Sequence, residues 1–170
     1  MTSAEAAKAV KKLQEKFNSI YDIEKQSKEY IAAVDEDLLM ARPKYNYSET
    51  QKQLNDLEEK IRTIKHAINV FNTTHKVPGY DMTVDEMLVY IPQLTARINK
   101  LYSMKSKLPK KRVSSLSGSR TSSVIEYTYI NYDLDAVTAD YEAARDELSK
   151  AQLALDSLNN SEEFEVPITL

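Results

Sequence analysis

The sequence predicts a mainly α protein: an elongated antiparallel helical bundle with coiled-coil character, plus a small β-hairpin between its last two helices. Three observations predict it. Gly is only 2 and Pro only 5 of 170 residues, too few for the tight turns of a sandwich or barrel. Apolar residues recur at steps of three and four along four long stretches, which marks one face of a helix. Between the third and fourth stretches the period changes to two, the mark of a strand with a wet face and a dry one.

The first stretch opens at Thr2 or Ser3, both good helix caps. Two rows recur every seven residues: Val10, Phe17, Glu24, Ile31, Leu38, and Leu13, Ile20, Ser27, Val34, Ala41. They read as a coiled-coil seam over 3–41 with one polar step at Glu24 and Ser27, a local gap in packing or a device that sets register. Pro43 then disfavours helix at Arg42. Such a helix is ~57 Å long by the standard rise, too long for a globule of this size. It must bend, pack along a second rod, or find another chain.

A second helix over 48–72 is expected to start with Ser48 as cap and Gln51 as its reciprocal partner. Its seam is Leu54, Leu57, Ile61, Ile64, Ile68 and Phe71. A third helix over 83–107 has Thr83 and Glu86 in the same capping pattern and an apolar face of Val84, Met87 or Leu88, Ile91, Leu94, Ile98 and Leu101, with Leu108 a further candidate. Pro92 should kink it near Leu88 to Ile91. The fourth helix, over 133–158, carries Leu134, Val137, Tyr141, Ala144, Leu148, Ala151, Leu155 and Leu158. The hairpin is expected over 112–130, with a turn at Ser117-Gly118 and alternation from Val124 to Ile130. The tail 163–170 could add a third strand, confined to an edge by Pro167. A single domain over 1–170 follows, with Leu57, Ile61, Ile64, Ile68, Ile91, Leu94, Ile98, Leu101, Val137, Leu148 and Leu155 as its expected core.

The same residues narrow the function. The chain has no cysteine, which removes disulfides, thiol catalysis and cysteine-ligated zinc. A formal charge of −3 gives no global argument for nucleic acid. The N-terminal "MTSAEAAKAVKKLQEKF" has no apolar signal region, and no stretch approaches ~20 apolar residues, so a cytoplasmic protein away from membranes is expected. The two histidines fall in "HAINVFNTTHKVPGYDMTVDE". His66 lies opposite the seam and His75 lies past the helix, nine residues on, which is no metal-ligand spacing on one face. Thr63 and Asn72 stand where the di-iron Glu-x-x-His motif needs Glu. The stretch reads as helix termination and turn. There is no Gly-rich phosphate loop, nucleophile elbow or His-Glu-x-x-His. No catalytic, cofactor or metal residue is expected.

Two features remain as candidate interaction sites. "KSKLPKKR" holds Lys107, Lys110, Lys111 and Arg112, cations that suit phosphates or an acidic partner and also suit a helix C-terminus. No aromatic interleaves them along the chain. Tyr127 and Tyr129 lead a tyrosine cluster at the proposed hairpin, and tyrosine joins apolar area to a polar tip as interfaces require. The acidic run from Asp133 to Glu147 opposes the basic cluster in sign. These features point to a non-enzymatic scaffold or protein-interaction module that self-associates as a homo-oligomer or binds an unknown protein. The alternative is nucleic-acid or polyanion binding through 105–112, and a metal or small-molecule enzyme ranks third.

The order of elements carries a resemblance. "LEEKIRTIKHAINVFNTT", a Gly-containing turn, "MTVDEMLVYIPQLTARINKL", then "SSVIEYTYINYD" entering a helix ending "LALDSLNN" resembles the septicolysin-like small helical proteins of bacteria over roughly residues 45 to 160. That resemblance implies a bacterial protein with a bundle and a small β element, and it brings no site residues. Two helices flanking a hairpin are also similar in arrangement to prefoldin subunits, which oligomerise through their hairpins and hold clients at helix tips.

Overall fold

Helix α1 (Ser3–Ser27) starts where Thr2 and Glu5 close a capping box. The Thr2 hydroxyl accepts from the Glu5 N–H at 3.2 Å, and the Glu5 carboxylate accepts from the Thr2 N–H at 3.0 Å. Two orphan amides of the first turn are satisfied in this way. The computed structural model describes residues 1–113 and 125–168. The chain divides into two compact units, Met1–Val84 with Asp156–Leu170, and Asp85–Leu155.

In the first unit α1 packs against α3 (Tyr47–Thr74). The two run antiparallel, because Glu24 late in α1 bonds to Gln51 early in α3. Leu54, Leu57, Ile61, Ile64 and Phe71 are buried on α3 and Ala6 on α1. The cap of α3 is Asn46, whose side chain accepts from the Glu49 N–H, rather than the expected Ser48. Gln51 is not its capping partner, since its amide is turned to Glu24.

The first helix stops at Ser27, fourteen residues short of the expected 41. Its partner explains this. Glu24 already lies level with the first turn of α3, so the seam residues beyond it have no facing helix within the unit. Ile31 and Val34 are 99% and 109% exposed. A helical turn with no packed face gains little beyond its own hydrogen bonds, and "IAAVDED", with two β-branched residues and three carboxylates, is a poor helix on propensity alone. Instead Glu36 accepts from the Ala33 N–H and Asp37 caps the short helix α2 (Leu38–Ala41).

After α3 the chain makes a miniature hairpin. Tyr80 N–H bonds to the Val77 carbonyl at 3.0 Å across Pro78-Gly79, and Gly79 has φ 81°. Pro at the second and positive-φ Gly at the third position define a type II turn. Val77 N–H and Val84 N–H reach the Met82 and His75 carbonyls, both at 2.9 Å. An ion pair from Lys76 to Asp81 spans the turn, and the lysine hydrogen bond holds the Asp81 carboxyl below its usual range. The closed turn drives Val77 into the core. Among the described residues the tail adds no strand to the β-hairpin. Glu163 forms an isolated bridge with Thr2, and Phe164 exchanges two backbone bonds with Met1, each 3.0 Å. The Phe164 ring lies 4.9 Å from that of Phe71, so the tail is drawn to a buried aromatic.

The second unit is built on α4 (Val84–Lys105) and α5 (Leu134–Ser161). They run antiparallel, with Tyr90 bonded to Glu147 and Tyr132 to the Met104 carbonyl. Leu101, Val137 and Ala144 form a buried cluster, against which Ile98, Met104, Tyr132 and Tyr141 pack. Met87, Leu94, Ala151 and Leu155 are also buried on this pair of helices, while Ile91 and Leu148 are half-buried. α4 continues as a helix through Pro92. The Asp133 carboxylate opens α5 by accepting from the Asp135 N–H at 2.9 Å. The hairpin consists of β1 (Lys110–Arg112) and β2 (Tyr127–Tyr129), paired antiparallel between these helices in the chain. The turn expected at Ser117-Gly118 lies outside the described residues.

Candidate functional site

A two-stranded ribbon sorts its side chains strictly. Successive residues alternate between faces and directly paired residues share one. Lys110 pairs with Tyr129, Lys111 with Thr128 and Arg112 with Tyr127. One face therefore carries Lys110, Arg112, Tyr127 and Tyr129, and the other carries Lys111 and Thr128. Of the sequence candidates, four come together and Lys111 turns away. Lys107 lies in the turn after α4, where its N–H bonds to the Met104 carbonyl, and it is not part of that face.

Lys110 organises the face. Its Nζ lies 4.1 Å from the Tyr127 ring centroid and 5.6 Å from that of Tyr129, with the rings 6.3 Å apart. The ammonium is held against the negative π-faces, worth about 0.5–1 kcal/mol at an exposed site. Aromatics absent from the basic cluster along the chain are thus supplied across the strand pair. The pairing extends by Val113 N–H to Glu126 and Ile130 N–H to Pro109. Every residue of both strands is exposed. Among the described residues the sheet has no third strand, so its outer backbone edges are unpaired. At the base, Lys105 bonds to Glu142 at 3.0 Å and lies over the Tyr141 ring.

The arrangement offers cations, aromatic faces and strand edges. It can pair, stack and attract negative charge. Among the described residues no three His, Cys, Asp or Glu are grouped to hold a metal ion. No described helix is long and apolar enough to cross a membrane. His66 is exposed on α3, and His75 is stacked on Phe71 at 4.2 Å.

A second polar centre lies on the α1–α3 seam, at the step the heptad rows had marked. The Glu24 carboxylate oxygen accepts from the Tyr45 hydroxyl at 2.6 Å and from the Gln51 amide at 2.7 Å. Tyr45 was not foreseen, because it precedes α3 and no periodicity points to it. Its hydrogen bond to Glu24, helped by some desolvation, raises the phenol to about 12. The protonated phenol is the bonded form, so this stabilisation is whole below pH 10 and is lost as pH rises through about 12. Ultraviolet titration of tyrosine, with Tyr45→Phe as the subtraction, should resolve one late-ionising group. In Glu24→Gln that group should move back toward the other tyrosines; an unmoved group would refute the pairing.

No protein-family model matches the chain, and no curated protein does. A solved structure does: a functionally unknown conserved protein from Corynebacterium diphtheriae, 17% identical, with a TM-score of 0.60. The match covers 97% of this chain and 99% of that one. At that identity the likeness concerns the fold.

Proposed function

We propose that this chain is a non-enzymatic scaffold or interaction module that self-associates through its tyrosine-rich hairpin. The observation that carries the reading is the ribbon face of Lys110, Arg112, Tyr127 and Tyr129, solvent-exposed and, among the described residues, bordered by no third strand. A hairpin of three-residue strands is marginal alone in water and gains from a further strand or a covering surface. A second copy of the chain can supply either. Size-exclusion chromatography with light scattering, read at 260 and 280 nm, tests this. The expected result is an oligomeric mass with a protein-like absorbance ratio, reduced toward the monomer in Tyr127→Ser with Tyr129→Ser. A monomer at every concentration would overturn it.

One observation favours a second reading, polyanion binding. Lys110 between two rings, with Arg112 on the same face, offers charge and stacking surface together, as single-stranded nucleic acid requires. This reading predicts a 260-rich peak that collapses in high salt and disappears when Lys110, Lys111 and Arg112 are changed together.

A further inference from the structure

Residues 28–41 present an apolar surface that the first unit leaves uncovered. Ile31, Val34, Leu38, Leu39 and Met40 are all exposed, in a stretch with four carboxylates, Glu29, Asp35, Glu36 and Asp37, against one lysine. The hairpin region has the opposite character. Leu108, Val113, Ile125, Tyr127 and Tyr129 are exposed there, and 105–113 holds five cations and no acid. Each surface has apolar area to bury and charge that would repel a copy of itself. Each also fits the other.

We infer that the 28–41 segment of one copy docks on the hairpin of a second copy. This rests on the self-association reading and names the surface that the hairpin meets. Apolar side chains from both sides would supply the buried area, and the carboxylates would meet Lys107, Lys110, Lys111 and Arg112. Contact between two different surfaces is heterologous, so it either closes into a ring or continues as a chain of copies. The segment is suited to this by its own construction. Its heptad rows continue those of α1, and a helix that lacks a facing partner can extend when one arrives.

Charge exchange tests the pairing without disturbing the fold. Glu29 and Asp35 hold no backbone amide, whereas Glu36 and Asp37 do. Lys107 and Lys111 lie off the tyrosine face. Glu29→Lys with Asp35→Lys gives one chain, and Lys107→Glu with Lys111→Glu gives another. Each alone should associate at least about tenfold more weakly, because like charges then face each other. An equal mixture should recover wild-type mass by light scattering, since each altered surface finds its complement on the other chain. Ile31→Ser with Val34→Ser, both fully exposed, should weaken association at unchanged helicity. If the segment variants leave assembly intact while Tyr127→Ser with Tyr129→Ser dissolves it, hairpin self-pairing stands and this inference fails. If the wild-type chain is monomeric, both fail. A salt-sensitive 260-rich complex that excludes the second copy would assign the hairpin to polyanion and also overturn it.

Discussion

Phe71→Ala should destabilise the first unit by about 3–5 kcal/mol, read from urea unfolding at unchanged slope. Phe71 is 1% exposed and occupies the last turns of α3, where two ring contacts converge. The His75 ring stacks on it at 4.2 Å, and the Phe164 ring approaches to 4.9 Å. Truncation therefore removes the transfer energy of a benzyl group and leaves a cavity whose walls are partly fixed. One wall is His75, whose carbonyl accepts from the Val84 N–H at 2.9 Å. Another is the tail, which is held beside α1 by the Glu163–Thr2 bridge and the exchange with Met1. The amide of Phe164, bonded to the Met1 carbonyl, should accordingly lose most of its protection from hydrogen exchange. Val70→Ala, at the exposed neighbouring position, should stay within about half a kcal/mol. Phe71→Leu retains most of the volume and should fall between them. Equal losses at positions 70 and 71 would show that His75 and the tail are not assembled around this ring.

Helix faces were legible in the sequence where two helices run side by side. Leu57, Ile61 and Ile64 recur at seam spacing on α3 and are buried against a helix long enough to cover them. The same logic misled at Ile31 and Val34. A heptad pattern states what a helix would bury if a partner were there, and α3 begins too late to be that partner. Capping was legible at Thr2 and misplaced at α3, because Asn46 and Ser48 are both competent caps two residues apart. Tertiary demand on Gln51 from Glu24 decided between them. Val77 went unforeseen for a different reason. Its burial comes from a turn closing on the core and follows no period. The candidate face was half legible: its cations and tyrosines were visible, but their union depended on strand register. Register placed Lys110 against Tyr129 and turned Lys111 to the opposite side.

Met87 and Leu88 form the sharpest contrast in the second unit, because adjacent residues with similar side-chain volume should differ severalfold. Period alone permits either on the apolar face of α4, since both lie three or four residues from Val84 and Ile91. A stripe of alternating three- and four-residue steps through 84, 87, 91, 94, 98 and 101 selects Met87. A broader face would include Leu88. In the structure Met87 is 0% exposed and Leu88 is 47% exposed. Met87→Ala should then cost about 2–5 kcal/mol, toward the lower end if neighbouring side chains relax into the space a flexible thioether leaves. Leu88→Ala should cost well under 1 kcal/mol: its half-exposed side chain surrenders little area, and Ala is the better helix former. Denaturant unfolding of the two variants, each with an unchanged slope, decides the matter. A large loss at Leu88 with a small one at Met87 would mean α4 is rotated by about 100° about its axis. That rotation would also carry Leu94 and Leu101 off the face that packs against Val137 and Ala144, so the pair tests the whole α4–α5 seam on which the hairpin is mounted.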